Sequence, residues 1–187
     1  MRIIAGKFRS RRLRSGQGLE IRPTSDRLRE TLFDVLTAGN PSALAGSVWL
    51  DLYAGTGTVG IEAVSRGAAM VYFVESSRRA AAIIQRNLGE LGILNGVRVL
   101  LQDTNPALRQ LDREGVRADF IFLDPPYRAQ DAYRDTLLRL SEVPLCETAL
   151  VIAEHEKNID PGEAFGKLRK MRKLEQGDAA LSFYRTG

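Results

Sequence analysis

From residue 47 onward the chain alternates short apolar runs with longer stretches in which apolar positions recur every three or four residues. Val48-Trp49-Leu50-Asp51-Leu52-Tyr53 predicts a strand, and residues 59–66 predict a helix stopped by Gly67. Val71-Tyr72-Phe73-Val74 predicts a second strand, after which Ser76 or Ser77 caps a helix that runs to Leu91 and stops at Gly92. Residues 97–101 form a third strand, and Asn105-Pro106 opens the next helix with proline at the favoured first position. Asp119-Phe120-Ile121-Phe122-Leu123 is almost continuously apolar, as a strand buried on both faces should be. A helix over residues 130–140 and a fifth strand over residues 149–153 complete the series. This alternation calls for right-handed crossovers and an α/β fold whose parallel sheet is covered on both faces.

The two ends depart from that rhythm. Residues 167–175 and 180–185 read as strands joined by the turn Gln176-Gly177-Asp178. They add an antiparallel hairpin to one edge and bring the mostly parallel sheet to seven strands. Near the start, Thr24-Ser25-Asp26 offers N-caps for an amphipathic helix carrying Leu28, Leu32, Val35 and Leu36 on one face. Residues 1–23 precede it as a basic extension, a strand or hairpin, and residues 24–187 form the α/β domain.

Composition narrows the classes. At 187 residues the chain suits one well-buried domain, and its 44% hydrophobic and 27% charged residues describe a globular protein. The longest apolar run, Ala149 to Ala153, is far below the roughly 20 residues that span a bilayer. Met1-Arg2-Ile3-Ile4-Ala5-Gly6 has no secretory apolar region. An arginine-rich start also suits an organellar presequence, but the strand-like Arg2-Ile3-Ile4 favours a folded segment and a cytoplasmic protein. Cys146 and His155 are the only residues of their kinds, which excludes a disulfide framework and a thiolate or histidine-rich metal centre. Trp49 and Cys146 read as core, and His155 as a packed or hydrogen-bonded side chain.

The net charge of +4 is uneven. Residues 1–30 hold nine basic and three acidic side chains, a net of +6, and the remaining 157 residues carry −2. A near-neutral body with a basic head suits a polyanion-binding extension. Lys7, Arg9, Arg11, Arg12 and Arg14, with Arg22 and Arg27 beyond them, are the candidate phosphate contacts. Lys167, Arg169, Lys170, Arg172 and Lys173 alternate along the predicted edge strand, where charge guards against aggregation first and touches a polyanion second.

Gly55-Thr56-Gly57-Thr58-Val59-Gly60 matches G-x-G-x-x-G between a strand and a helix, and Glu75 ends the next strand 20 residues after Gly55. These are features of a dinucleotide-binding turn, so a nicotinamide-dependent oxidoreductase is one reading. Asp51 argues against it. At the carboxyl end of the first strand its charge would face a bound pyrophosphate, whereas a ligand with an ammonium and no phosphate would gain from it. S-adenosylmethionine is such a ligand, with Glu75 accepting from ribose hydroxyls. Asp103, after the third strand, can accept from the adenine amino group or cap the following helix. Asp124 closes the fourth strand, and the topology carries all these strand ends to one rim.

Asp124-Pro125-Pro126-Tyr127 follows the buried fourth strand. Two prolines fix the backbone and leave carbonyl acceptors exposed. The Asp124 carboxylate and the Pro125 carbonyl can both accept from one exocyclic NH2, turning the nitrogen lone pair toward a methyl donor, while Tyr127 offers a face for stacking the base. Adenine N6 and guanine N2 both satisfy this chemistry.

The chain resembles the bacterial 16S rRNA guanine-N2 methyltransferases, members of the class I, Rossmann-like S-adenosylmethionine-dependent fold. The resemblance runs through Arg2-Ile3-Ile4-Ala5-Gly6, residues 22–33, Asp51-Leu52-Tyr53-Ala54-Gly55-Thr56-Gly57, residues 62–68 and Asp124-Pro125-Pro126-Tyr127. Tyr53 and Thr56 stand where the family more often shows Phe and Ser. The resemblance implies methyl transfer from S-adenosylmethionine, leaving S-adenosylhomocysteine, to one guanine of 16S rRNA in an assembled or assembling small subunit. It implies no metal, no membrane and a monomer. It places Asp51, Tyr53, Gly55, Gly57, Glu75 and Asp103 at the cofactor, with Thr24 in a flap near it. Asp124, Pro125, Pro126 and Tyr127 fall at the substrate base. An adenine-N6 enzyme, the oxidoreductase and a non-catalytic RNA-binding factor are the alternatives.

Overall fold

The computed structural model describes residues 1–16, 25–126 and 130–187. Thr24, Arg22 and Tyr127 therefore lie outside the described residues. Five parallel strands form the centre: β1 (Val48–Leu52), β2 (Met70–Glu75), β3 (Val97–Leu101), β4 (Phe120–Leu123) and β5 (Leu150–Glu156). β6 (Ala164–Phe165), β7 (Leu168–Gln176) and β8 (Ala179–Thr186) continue the sheet antiparallel, in the order β3-β2-β1-β4-β5-β8-β7-β6. The eighth strand, β6, is two residues long and too short to leave a periodic trace in the sequence.

Alternation along each strand divides the core in two. Trp49, Phe73, Phe122 and Ile152 face α1 (Asp26–Thr37), α2 (Thr58–Ser65) and α3 (Arg78–Glu90). Trp49 stacks between Phe33 and Phe120 with ring centroids 5.4 Å apart on each side. Leu50, Leu52, Val74, Ile121 and Leu123 face α4 (Thr104–Arg113) and α5 (Gln130–Glu142) on the other side. Fully burying one such side chain contributes about 1.5–3 kcal/mol, so both layers are held firmly.

Four expectations change. α4 begins at Thr104 with Asp103 at the N-cap position, so Pro106 is its third residue rather than its first. The position is harmless, because the first N–H groups of a helix lack intrahelical partners anyway. β5 runs three residues further than its apolar run because β8 pairs with Glu154, His155 and Glu156. Arg29, counted in the basic head, is fully buried and donates to the Arg2 carbonyl at 2.6 Å and to Asp26 at 2.9 Å. Lys170 is not an edge charge, since its ammonium is tucked between Asp160 and Glu163 with a 5% exposed side chain. β6 pairs only with Leu168 and Arg169, and the register slips between Lys170 and Arg172, leaving Met171 outward.

The basic head folds back as a hairpin, with Arg2 bridging Arg12 and with Ile3 and Leu13 buried. Its anchor is α2. The buried Glu62 carboxylate accepts from the Ile4 and Ala5 amides at 2.8 and 2.9 Å, and Ser65 accepts from Lys7 and Phe8. Gly6 makes the approach feasible: at φ +81° a β-carbon there would lie 1.9 Å from the Ser65 carbonyl oxygen.

Candidate active site

The sheet order reverses beside β1. The chain moves outward through β2 and β3, then returns to lay β4 on the other side of β1. A crevice opens at such a switch point, beyond the carboxyl ends of the strands. The register pairs Leu52 with Leu123, so the segments that follow, Tyr53 to Gly57 and Asp124 to Pro126, leave the sheet side by side.

Tyr53 takes φ +62°, unusual for a residue with a side chain, and its hydroxyl shares a 2.7 Å hydrogen bond with Thr136 of α5. Gly55 and Gly57 follow at φ +56° and +79°, and the Gly57 amide closes the turn on the Ala54 carbonyl at 2.7 Å. Glu75 at the end of β2 grips this loop. One carboxylate oxygen accepts from the Gly55 amide at 2.8 Å, and the other accepts from Ser77 at 2.7 Å. Each oxygen retains a second lone pair for a ligand hydroxyl. Gly60 lets α2 pack close, because a β-carbon there would sit 2.3 Å from the Phe73 ring.

Asp51 lies beneath the loop, 2% exposed, and accepts from the Gly60 amide at 2.8 Å. Burial pushes its pKa up to about 8; the Gly60 bond opposes the rise, and the charges of Glu75 and Glu154 add to it. Asp103 is exposed at the N-cap position of α4, and its side chain makes no capping bond there. Asp124 is half-buried, Pro125 is buried and Pro126 is exposed. The rim thus gathers Asp51, Tyr53, Gly55, Gly57 and Glu75 around one loop, with Asp124, Pro125 and Pro126 beside it. His155 is buried, its ring nitrogens 2.8 Å from the Glu156 carbonyl and the Ser182 hydroxyl, and burial lowers its pKa.

The basic residues divide. The hairpin turn carrying Lys7 and Arg9 rests on Ser65, at the far end of the eight-residue α2 and about 12 Å along it from the glycine loop. Arg9 and Arg27, with Arg2, line a groove of about 350 Å³ that also holds Asp26 and Glu30. Arg14 and Arg11 instead lie on α3: the Arg14 guanidinium meets the Glu90 carboxylate at 2.6 Å, and Arg11 donates to the Glu90 carbonyl at 3.1 Å.

Several residues of this region carry no flag in a reading by motif. Glu154 is buried on β5, one position beyond the Leu123–Ala153 pair. Thr136 holds Tyr53, and Glu62 holds the hairpin. Asn87 bonds both Arg14 and Thr56. Its signal is a polar residue on the α3 face that otherwise carries Ala80, Ile84 and Leu88.

The family described as conserved hypothetical protein 95 matches residues 1–185. The ribosomal RNA small subunit methyltransferase D of Escherichia coli K12 is 34% identical over 157 residues, covering 83% of this chain and 75% of that protein. The Bacillus subtilis strain 168 protein YlbH is 31% identical over 186 residues, covering 99% of this chain and 98% of its own. The solved structure of the E. coli protein yhhF superposes with a TM-score of 0.83 at 29% identity, covering 100% of this chain and 97% of that one.

Proposed function

The chain belongs to the methyltransferase family described as conserved hypothetical protein 95, and from that premise we propose that it methylates the exocyclic N2 of one guanine in 16S rRNA, with S-adenosylmethionine as donor. The observation that carries the reading is the pairing of Leu52 with Leu123, which sets the glycine loop beside Asp124-Pro125-Pro126 on one rim.

The donor set fits S-adenosylmethionine. Glu75 and the exposed Asp103 offer acceptors for hydroxyls and an amino group. The buried Asp51 holds its proton near neutral pH in the free chain, and a cationic ligand would draw it into its charged form where a pyrophosphate would not. This choice sets the oxidoreductase aside. When bound, the sulfonium supplies an electrophilic methyl group. The protein's part is to orient the attacking nitrogen.

In this reading the Asp124 carboxylate and the Pro125 carbonyl each accept one N–H of the guanine amino group. That draws the nitrogen lone pair out of conjugation and points it at the donor. The Asp124 carboxylate is then placed to take the proton that the alkylated nitrogen sheds. Tyr127 stacks the base, which must be unpaired or flipped out to reach the rim. Lys7, Arg9, Arg11, Arg12, Arg14, Arg22 and Arg27 hold the flanking backbone. Five neutralised phosphates on a single strand would give a log–log salt slope of about −3.5. The rim itself accepts either exocyclic amine; guanine is preferred to adenine on the resemblance of residues 2–6, 22–33 and 124–127 to the guanine-N2 methyltransferases.

The test is transfer of label from S-adenosylmethionine to unmodified small ribosomal subunits. Wild-type protein incorporates label. Asp124→Ala loses incorporation and retains S-adenosylhomocysteine binding. Near-normal turnover in that variant overturns the assignment.

A further inference from the structure

α3 turns Ala80, Ala81, Ile84 and Leu88 to the core, and Asn87 sits on the same face, 1% exposed. Asparagine is a weak helix former, and a buried amide is costly unless its donors and acceptor are met. Here they are met by two distant segments. The Asn87 Oδ1 accepts from the Arg14 amide at 2.8 Å, and Nδ2 donates to the Arg14 carbonyl at 3.3 Å and to the Thr56 carbonyl at 3.2 Å. This set fixes the orientation of the amide. Exchanging its oxygen and nitrogen would oppose a donor to the Arg14 amide and an acceptor to two carbonyls.

Arg14 belongs to the basic strand, and Thr56 lies between Gly55 and Gly57 in the loop. The loop is held at each residue, and Gly57 twice, since its carbonyl also accepts from the Ile61 amide at 2.9 Å. Gly55 is gripped by Glu75, and Gly57 by the Ala54 carbonyl. Thr56 is held through Asn87 on the side of the basic strand. Glu90, one turn further along α3, engages the Arg14 guanidinium but not its backbone. A phosphate that draws the guanidinium off Glu90 therefore leaves the Arg14 backbone seated on Asn87.

Resting on the function proposed above, we propose that Asn87 is a positioning residue that couples the two ligands. RNA on the basic strand steadies the Thr56 carbonyl and with it the glycine loop, and a cofactor in the loop steadies the strand in return. Linkage makes the factor equal in both directions, and coupling of this kind is typically on the order of fivefold or more.

The experiment measures labelled S-adenosylhomocysteine binding to the full chain, alone and with saturating unmodified small ribosomal subunits. Two variants separate coupling from folding. Asn87→Ala removes every bond. Asn87→Asp, nearly identical in shape, keeps the acceptor for the Arg14 amide and removes the donors to the Arg14 and Thr56 carbonyls, so it decides the matter if the alanine variant does not fold. The expected result is that subunits tighten wild-type binding about fivefold or more, while in the variants the factor falls below about twofold. Affinity for S-adenosylhomocysteine alone weakens too, because Thr56 loses its bond to Asn87. The coupling is therefore read as the ratio of affinities with and without subunits within each variant, which a uniform loss of affinity would leave at the wild-type factor. Coupling that survives in a folded variant overturns the proposal, as does wild-type protein that binds both ligands independently. Wild-type protein that binds neither ligand overturns the proposed function itself.

Discussion

The Asp51 carboxylate accepts a 2.8 Å hydrogen bond from the Gly60 amide, so an acid on the first strand fixes the helix that opens after the glycine loop. The acid is 2% exposed, and burial raises its pKa to about 8 from an ordinary 3.8.

That shift predicts a pH dependence. Between about pH 4 and pH 8 the folded chain holds the Asp51 proton that the unfolded chain has released. Stability attributable to this group therefore falls as pH rises through that window and levels off above it. Asp51→Asn keeps an oxygen for the Gly60 amide and removes the titration. Denaturant melts should show the variant gaining on wild type from pH 5 to pH 8, by on the order of a few kcal/mol. Its affinity for S-adenosylmethionine should fall. Parallel pH profiles for the two proteins would contradict the account.

Glu75→Gln tests the grip on the loop. A carboxylate serves the Gly55 and Ser77 amides with its two oxygens, whereas glutamine has one oxygen and turns an NH2 toward the other donor. Thermal melts should show a loss of about 1–2 kcal/mol, and S-adenosylhomocysteine binding should weaken about tenfold or more. Unchanged binding would mean that Glu75 supports neither the loop nor the ligand.

Gly6→Ala tests the seat of the hairpin. The β-carbon would collide with the Ser65 carbonyl at a backbone angle that alanine disfavours. The turn should lift from α2, with faster tryptic cleavage at Lys7 and Arg9 than in wild type. Unaltered cleavage would show that the hairpin is not docked through Gly6.

Arg9 and Arg27 line an open groove, while Arg14 is paired with Glu90. Alanine at Arg9 or Arg27 should each reduce the salt slope of RNA binding by about 0.7, and Arg14→Ala by less than half of that. Equal effects at all three positions would contradict this division.

Much of the framework was legible in the chain. Short, almost continuously apolar runs such as Phe120 to Leu123 read as buried strands, and the spacing of Gly55, Gly57, Gly60 and Glu75 places a tight loop against a strand end. The acids of the rim were visible as residues but not as bonds. Nothing periodic marks that Glu75 grips the loop or that Asp51 is buried. The hairpin was visible as charge, while its docking rests on Glu62, 58 residues from Ile4, and on Asn87, 73 residues from Arg14. Side-chain bonds to a distant backbone leave no local pattern. For the same reason Arg29 reads as one more surface cation until its burial against Arg2, Asp26 and Glu62 is seen. Glu154 was hidden because β8 extends β5 beyond its apolar run.

The central claim is the identity of the methylated atom. RNA from small subunits labelled by this protein can be digested to nucleosides and the label separated by chromatography. The account predicts that the label runs as N2-methylguanosine from a single position. Label in N6-methyladenosine, or no incorporation into unmodified subunits, would contradict it.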